Sequence, residues 1–157
     1  MRSAEGASAP PIEPVRKQVV VSRPPAEAFE IFTARIGAWW PLRPRHSVFQ
    51  DQSQTCVIEP RVGGLVYELS TRGERSVWGT VVAWEPPRRF VMSWHPGRGP
   101  ETAQEVEVHF VAVPEGTRVE LEHRGWETLA DEALKTRENY EKGWVFVFET
   151  CYREACK

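Results

Sequence analysis

The chain has 157 residues, 41% of them hydrophobic and 27% charged, with a formal net charge of −2 at pH 7. This length and composition predict one globular domain with a substantial core. The near-neutral charge favours neither a nucleic acid nor an anionic membrane surface as a partner. No apolar run approaches the ~20 residues needed to cross a bilayer, so we expect no membrane insertion.

The cysteines and the first residues indicate the compartment and the domain limits. Cys56, Cys151 and Cys156 give an odd count without C-x-x-C spacing, which favours reduced thiols in the cytoplasm over disulfides or a zinc site. Residues 1–14 are rich in Ala, Ser, Gly, Pro and Glu and lack the apolar core of a signal peptide. We therefore expect a disordered tail over 1–14 and a single domain over 15–157.

Hydrophobic periodicity predicts the elements in chain order. A β-branched run predicts a strand over 15–22, two prolines end it, and a helix follows over 25–34. A short helical piece then carries Trp39 and Trp40. Segments bounded by Gly and Pro predict six antiparallel strands, over 55–59, 65–70, 76–84, 88–95, 104–113 and 117–124.

The last third of the chain is predicted to be helical, over 130–140 and again over 144–157. Trp144, Phe148, Cys151 and Ala155 lie on one face at helical spacing. Because that face needs a hydrophobic surface, we expect it to cover the inner face of the sheet. The order of elements therefore predicts an α+β fold of two layers.

Several motifs together with this order resemble a known superfamily. They are Trp39-Trp40-Pro41-Leu42, the turn PRVGG at 60–64, WGTVVAWEPPRRF at 78–90 and VELEHRGWE at 119–127. The chain resembles the START/Bet v 1-like (SRPBCC) superfamily, and within it the group homologous to the activator of Hsp90 ATPase. The resemblance implies a helix-grip fold, in which a curved antiparallel sheet of six to seven strands wraps around a long C-terminal helix, with a short helix pair after the first strand. It also implies an internal cavity between sheet and helix. The superfamily includes lipid carriers, plant hormone receptors, polyketide cyclases and co-chaperones, so the resemblance does not single out one function.

Catalytic and metal motifs are missing from the sequence. It has no G-x-S-x-G elbow, no phosphate-binding glycine loop, no H-E-x-x-H and no dinucleotide fingerprint. The four histidines are too scattered to suggest a metal by spacing. We expect neither a metal nor a cofactor.

Three polar residues are candidates for the cavity. His123 is in phase with Val119 and Leu121, so it should point inward, either as a core histidine bonded to a backbone carbonyl or as a group that orients a ligand. By alternation Glu68 faces solvent, whereas the resemblance implies that it faces the cavity, where a carboxyl could act as a general acid. His46 follows the Trp39-Trp40 pair on a segment at the cavity mouth, where a solvated loop histidine is the alternative.

The seven tryptophans suit both core and pocket walls, because each is large and needs a partner for its ring N–H. Trp94 is in phase with Phe90 and Met92 and should be inward, whereas the direction of Trp78 is undetermined. The predicted ligand-binding residues are Trp39, Trp40, His46, Glu68, Trp78, Trp94, His123, Trp144 and Phe148.

Three functions fit this pattern. An apolar lining with few polar residues favours the binding of a lipophilic or aromatic small molecule. The alternatives are an enzyme of the cyclase, dehydratase or hydrolase type that uses the same cavity, and a co-chaperone that stimulates an Hsp90-type ATPase. The sequence has no evident docking motif for such a chaperone, so we do not expect that partner, and it leaves a homodimer open.

Overall fold

A curled antiparallel sheet and the C-terminal helix that it encloses make up the protein, as the computed structural model describes it over residues 12–157. The sheet has seven strands in the order β1-β7-β6-β5-β4-β3-β2. The strands are β1 (Val15–Val21), β2 (Ser53–Ile58), β3 (Leu65–Ser70), β4 (Arg75–Glu85), β5 (Arg89–Trp94), β6 (Gln104–Val113) and β7 (Gly116–Arg124).

Helices connect and close this sheet. The pair α1 (Pro25–Thr33) and α2 (Ile36–Trp39) follows β1, and a 3₁₀ segment (Trp126–Glu132) follows β7. The terminal helix begins as α3 (Ala133–Trp144), continues through a π-helical segment (Val145–Tyr152) and ends in a last turn (Arg153–Ala155). The helix-grip α+β fold, the helix pair and the number of strands are confirmed, and every predicted strand lies within two residues of an observed one.

A β-bulge decides the direction of Trp78. Val66 pairs with Gly79, but the next residue of β3, Tyr67, pairs with Val77. Trp78 is therefore an extra residue in β4, and such an insertion shifts the alternation of side chains along a strand. Trp78 is buried on the inner side. Gly79 is required beside it, because a Cβ there would overlap the carbonyl oxygen of Ser93.

The π-helical segment changes which residues of the terminal helix face the sheet. Of the predicted face, Trp144 and Phe148 are buried, whereas Cys151 and Ala155 are only partly buried and pack at the edge of the core. Tyr152 and Cys156 occupy the inner positions instead. A π-helical turn bonds residue i to i+5, so it advances the buried face by one residue.

The segment before β1 makes defined contacts. The backbone N–H of Ile12 donates to Glu127 Oε2 at 3.0 Å, and Arg137 donates to the carbonyl oxygens of Glu13 at 2.6 Å and Pro14 at 3.0 Å. Residues 12–14 thus pack on the domain. Residues 1–11 lie outside the described part of the chain, and for them the disordered tail remains a prediction.

Replacing Phe148 tests the grip of the sheet on the terminal helix. Phe148 is fully buried and packs on Phe32 and Tyr152, with ring centroids 6.3 and 5.7 Å away. We expect Phe148→Ala to lower the free energy of unfolding by roughly 3–5 kcal/mol, because truncation of a buried aromatic ring leaves a cavity. Urea denaturation measures this loss. Leu134→Ala on the same helix is the control, because Leu134 is 71% exposed, and it should change stability by less than ~0.5 kcal/mol. Equal losses in the two variants would contradict this packing.

An ion-pair network covers the outer face of the sheet, with Glu107 at its centre. Glu107 accepts hydrogen bonds from Arg89 at 2.6 Å, Arg124 at 2.7 Å and His109 at 2.6 Å. Arg124 also pairs with Glu105 and Glu122.

The network lowers the pKa of Glu107. Burial by itself would raise this pKa, but the hydrogen bonds from Arg89, Arg124 and His109 outweigh burial and lower it from 4.5 to about 2.

The lowered pKa of Glu107 predicts a dependence of stability on pH. In the unfolded chain the carboxyl takes up a proton near pH 4.5, whereas in the fold it does so only near pH 2, so its contribution is complete at neutral pH and is lost as the pH falls between these values. We expect Glu107→Gln to lower the melting temperature at pH 7 and to approach wild type near pH 2. Glu74→Gln, at an exposed turn residue, is the control. A melting-temperature difference that does not change with pH would disprove the assignment.

Candidate functional site

A cleft of about 430 Å³ opens at one end of the space between sheet and helix. Three chain segments surround it: the loop after α2, the turn after β5, and one face of α3. The lining residues are mostly aromatic or small, namely Trp40, Arg45, His46, Ser47, Val48, Trp78, Trp94, Pro96, Gly97, Asn139, Tyr140 and Gly143. No carboxylate is among them.

A second depression, also of about 430 Å³, lies on the outer face of the sheet, where Arg16, Lys17, Glu107 and Glu122 line it. These side chains already form ion pairs with one another or with neighbours: Arg16 with Glu122, Lys17 with Glu141, and Glu107 with Arg124. A ligand there would have to break these pairs. The aromatic cleft is therefore the better candidate site.

Three indole rings form the inner wall of the cleft. Trp40, Trp78 and Trp94 contact one another pairwise, with ring centroids 5.3, 5.7 and 5.4 Å apart. They come from the end of α2, the bulge of β4 and the end of β5. Each N–H has an acceptor inside the protein: Trp40 donates to His46 O at 2.8 Å, Trp78 to Glu68 Oε1 at 2.8 Å and Trp94 to the Tyr140 hydroxyl at 3.0 Å.

Glu68 fixes the loop that forms one side of the cleft. Its carboxylate is fully buried. Oε1 accepts from the backbone N–H of Val48 at 2.6 Å and from Trp78, and Oε2 accepts from the N–H of Phe49 at 3.0 Å and from Ser53 Oγ at 2.9 Å. Alternation was wrong that Glu68 faces solvent, because the side chain is buried, but it does not line the cleft. Since four donors occupy the four lone-pair positions of the carboxylate, it has none left for a substrate.

His123 joins the sheet to the terminal helix. It is fully buried, as its phase on an uninterrupted β7 predicts. Trp144 Nε1 donates to Nδ1 at 3.0 Å, which leaves Nε2 protonated and donating to Gln104 Oε1 at 3.0 Å. Its partners are side chains, so the expected bond to a backbone carbonyl was wrong. Desolvation by burial lowers the pKa of His123 to about 3, so the ring is neutral.

The structure brings some of the predicted site residues together and separates others. Trp40, His46, Trp78 and Trp94 line the cleft. The other five, Trp39, Glu68, His123, Trp144 and Phe148, are buried behind its wall. Much of the expected internal cavity is thus filled by the chain's own aromatic side chains, and the space for a ligand lies at the mouth.

Tyr140 and several loop residues at the rim of the cleft were not identified from the sequence. Tyr140 stands four positions before Trp144, a spacing that puts both on one side of a helix and could have identified it. Arg45, Ser47 and Gly97 lie on loops, where no periodicity predicts direction.

His46 borders the cleft as an aromatic and titratable group. Its ring lies against Phe146 of the terminal helix, with centroids 5.7 Å apart. Partial burial and then the nearby charge of Arg45 lower the pKa of His46 below its usual 6.5. The imidazole is therefore neutral at pH 7 and can accept a proton or a hydrogen bond.

The structure of residues 12–157 also shows whether this part of the chain has a membrane-spanning helix, a metal site or disulfide bonds. Within 12–157, no helix combines the length and hydropathy of a membrane span. In the same range, no group of three His, Cys, Asp or Glu side chains lies close enough to hold a metal ion. Cys56, Cys151 and Cys156 are free thiols.

The fold and the cleft define a helix-grip protein of the START/Bet v 1-like class. The chain belongs to the family described as "Activator of Hsp90 ATPase homolog 1-like protein", whose model matches residues 22–150. A comparison with curated proteins finds no match.

Solved structures share this fold. Protein BH1534 from Bacillus halodurans is 18% identical, with a TM-score of 0.67 over 94% of this chain and 99% of that one. Protein MLL2253 from Mesorhizobium loti is 17% identical, with a TM-score of 0.63 over 90% and 95%. An anthrahydroquino-gamma-pyrone synthase, Txn09, complexed with a compound designated SUM, is 32% identical, with a TM-score of 0.62 over 92% and 97%.

Replacing His123 tests the structural role of its buried ring. We expect His123→Phe to lower the free energy of unfolding by ~1–3 kcal/mol, because it leaves the buried Trp144 N–H without an acceptor. Wild type should also lose stability as the pH falls from 6.5 towards about 3, since the unfolded state takes up a proton on His123 that the fold excludes. This part of the pH dependence should vanish in the variant. Chemical denaturation between pH 7 and 5 measures both effects, and an unchanged pH profile would disprove them.

Proposed function

We propose that this protein binds a planar, largely apolar small molecule in the aromatic cleft. The observation that carries the proposal is the inner wall of three mutually contacting indoles, Trp40, Trp78 and Trp94. Flat aromatic ligands gain both burial and offset or edge-to-face ring contacts against such a wall. The volume of about 430 Å³ lies within the range of roughly 300–1,000 Å³ common for small-molecule sites.

The polar lining supports the same class of ligand. Arg45 is an exposed cation at the rim, and no carboxylate lines the cleft. An electron-rich or anionic aromatic compound suits this surface better than a cation does. The 32% identical Txn09 is named as a synthase of a fused aromatic pyrone, a flat polycyclic compound that supports the proposal by likeness.

Catalysis in the same cleft is the second candidate. His46 favours it, since its neutral imidazole could act as a general base on a bound substrate. The pair first expected for such chemistry, His123 and Glu68, has its hydrogen-bonding atoms occupied by internal partners. An enzyme of the cyclase, dehydratase or hydrolase type would therefore use cleft residues such as His46 in place of that pair.

The remaining expectations stay predictions. The family description names an Hsp90 activator, but a shared fold does not transfer an activity, and we do not expect a chaperone partner. Free thiols are compatible with the predicted cytoplasmic location. A homodimer remains open.

Occluding the cleft tests the proposal. Gly143 lines the cleft, and a Cβ built on it meets no atom within 4 Å. The Cβ of Gly143→Phe therefore has open space around it, and we expect its ring to occupy the opening. The loss of a helical glycine should leave the melting temperature unchanged or higher. We expect anthracene-2-sulfonate to quench the tryptophan fluorescence of wild type saturably, and Gly143→Phe to abolish this binding.

A matched variant on the same helix is the control. Leu134 is 71% exposed and does not line the cleft, so Leu134→Phe should bind the probe like wild type. Native mass spectrometry of the purified protein adds a search for a co-purifying aromatic compound. Binding that survives in Gly143→Phe, or no saturable binding in wild type, would refute the proposal.

A further inference from the structure

Tyr140 carries a hydroxyl group with one hydrogen-bond partner in the described part of the chain. Trp94 Nε1 donates to this oxygen at 3.0 Å. A phenol both accepts and donates, but the proton of Tyr140 has no acceptor among residues 12–157. The bond with Trp94 uses one lone pair and leaves the O–H available.

The packing around Tyr140 holds this group at the cleft wall. The ring contacts His123 and Trp126, with centroids 4.7 and 5.6 Å away. Tyr140 and Trp94 both line the cleft, so the bond between them lies in its wall. Burial raises the pKa of Tyr140 above its usual 10, which keeps the proton on the oxygen at neutral pH.

The other side-chain donors of the inner cleft are occupied. Trp40 and Trp78 donate to His46 O and Glu68 Oε1, and Ser47 Oγ donates to Leu42 O at 2.6 Å. Toward the rim, the side chains of Arg45, His46 and Asn139 have no hydrogen-bond partner among residues 12–157. The deep wall therefore offers apolar rings and one free O–H group.

We propose that the cleft selects aromatic ligands that carry an oxygen acceptor, such as a quinone or aryl ketone carbonyl, and that the Tyr140 hydroxyl donates a hydrogen bond to that oxygen. This inference rests on the proposed function, because it names the chemistry that the same cleft recognises. A hydrocarbon of the same outline would leave the O–H buried without a partner, which disfavours its binding.

Two probes of matched shape test the inference. Anthraquinone-2-sulfonate and anthracene-2-sulfonate share a three-ring outline and a sulfonate, and only the first carries ring carbonyls. Any contact of the sulfonate with Arg45 is common to both. We expect wild type to bind the quinone more tightly by roughly three- to tenfold, the equivalent of one neutral hydrogen bond.

Tyr140→Phe should reduce this preference by weakening the quinone while leaving the affinity for anthracene-2-sulfonate near the wild-type value. Because the variant also leaves the Trp94 N–H without its acceptor, its melting temperature should fall as well. Tyr67→Phe is the matched control, because Tyr67 lies on β3 beneath Arg75, outside the cleft, and it should keep the full preference. Isothermal titration measures the affinities, and melting temperatures verify folding.

The outcomes distinguish this inference from the proposed function. The role of Tyr140 is overturned if Tyr140→Phe and wild type prefer the quinone equally, or if wild type shows no preference for it. Either result leaves the proposed function of the aromatic cleft unaffected. Failure of both probes to bind wild type overturns the proposed function and the inference with it. If Tyr140→Phe does not fold, wild type that shows no preference for the quinone still overturns the inference.

Discussion

The packing of the interior depends on one requirement, which is that each buried indole N–H group needs a hydrogen-bond acceptor. Six of the seven tryptophans are buried, and a buried donor without an acceptor costs about 1–3 kcal/mol. Each of the six finds one, on Ile31 O, His46 O, Glu68 Oε1, the Tyr140 hydroxyl, His123 O and His123 Nδ1. Because these acceptors lie on α1, the loop after α2, β3, α3 and β7, satisfying them fixes how the elements sit against each other.

The same packing explains why the cleft lies at the mouth of the grip. Large rings occupy the volume between sheet and helix, and the space that remains is bordered by small residues, Ser47, Gly97 and Gly143. Glu68 holds the loop beside this space through two backbone N–H groups. The shape of the cleft therefore depends on a buried carboxylate that is not part of its surface.

The fold and the proposed recognition chemistry depend on different residues of this chain. Structures only 17–18% identical share the sheet and the helix, since the fold needs only alternating strands and an apolar helix face. In the proposed function, the choice of ligand depends instead on the few polar groups that the aromatic walls leave unpaired. In this chain those groups are the Tyr140 hydroxyl in the wall and, toward the rim, the side chains of His46, Arg45 and Asn139.

The sequence by itself determined the strands, the helix pair and the inward direction of His123, because period-two alternation holds wherever pairing is regular, as it is along β7. Only the tertiary structure decided the directions of Trp78 and Tyr152, since a bulge and a π-helical turn each add one residue to a repeat. The cleft belongs to the same category. Its walls come from segments up to about a hundred residues apart in sequence, from Trp40 to Gly143. Local periodicity cannot predict such a site, because it does not specify which loop side chains come together when the sheet curls around the helix.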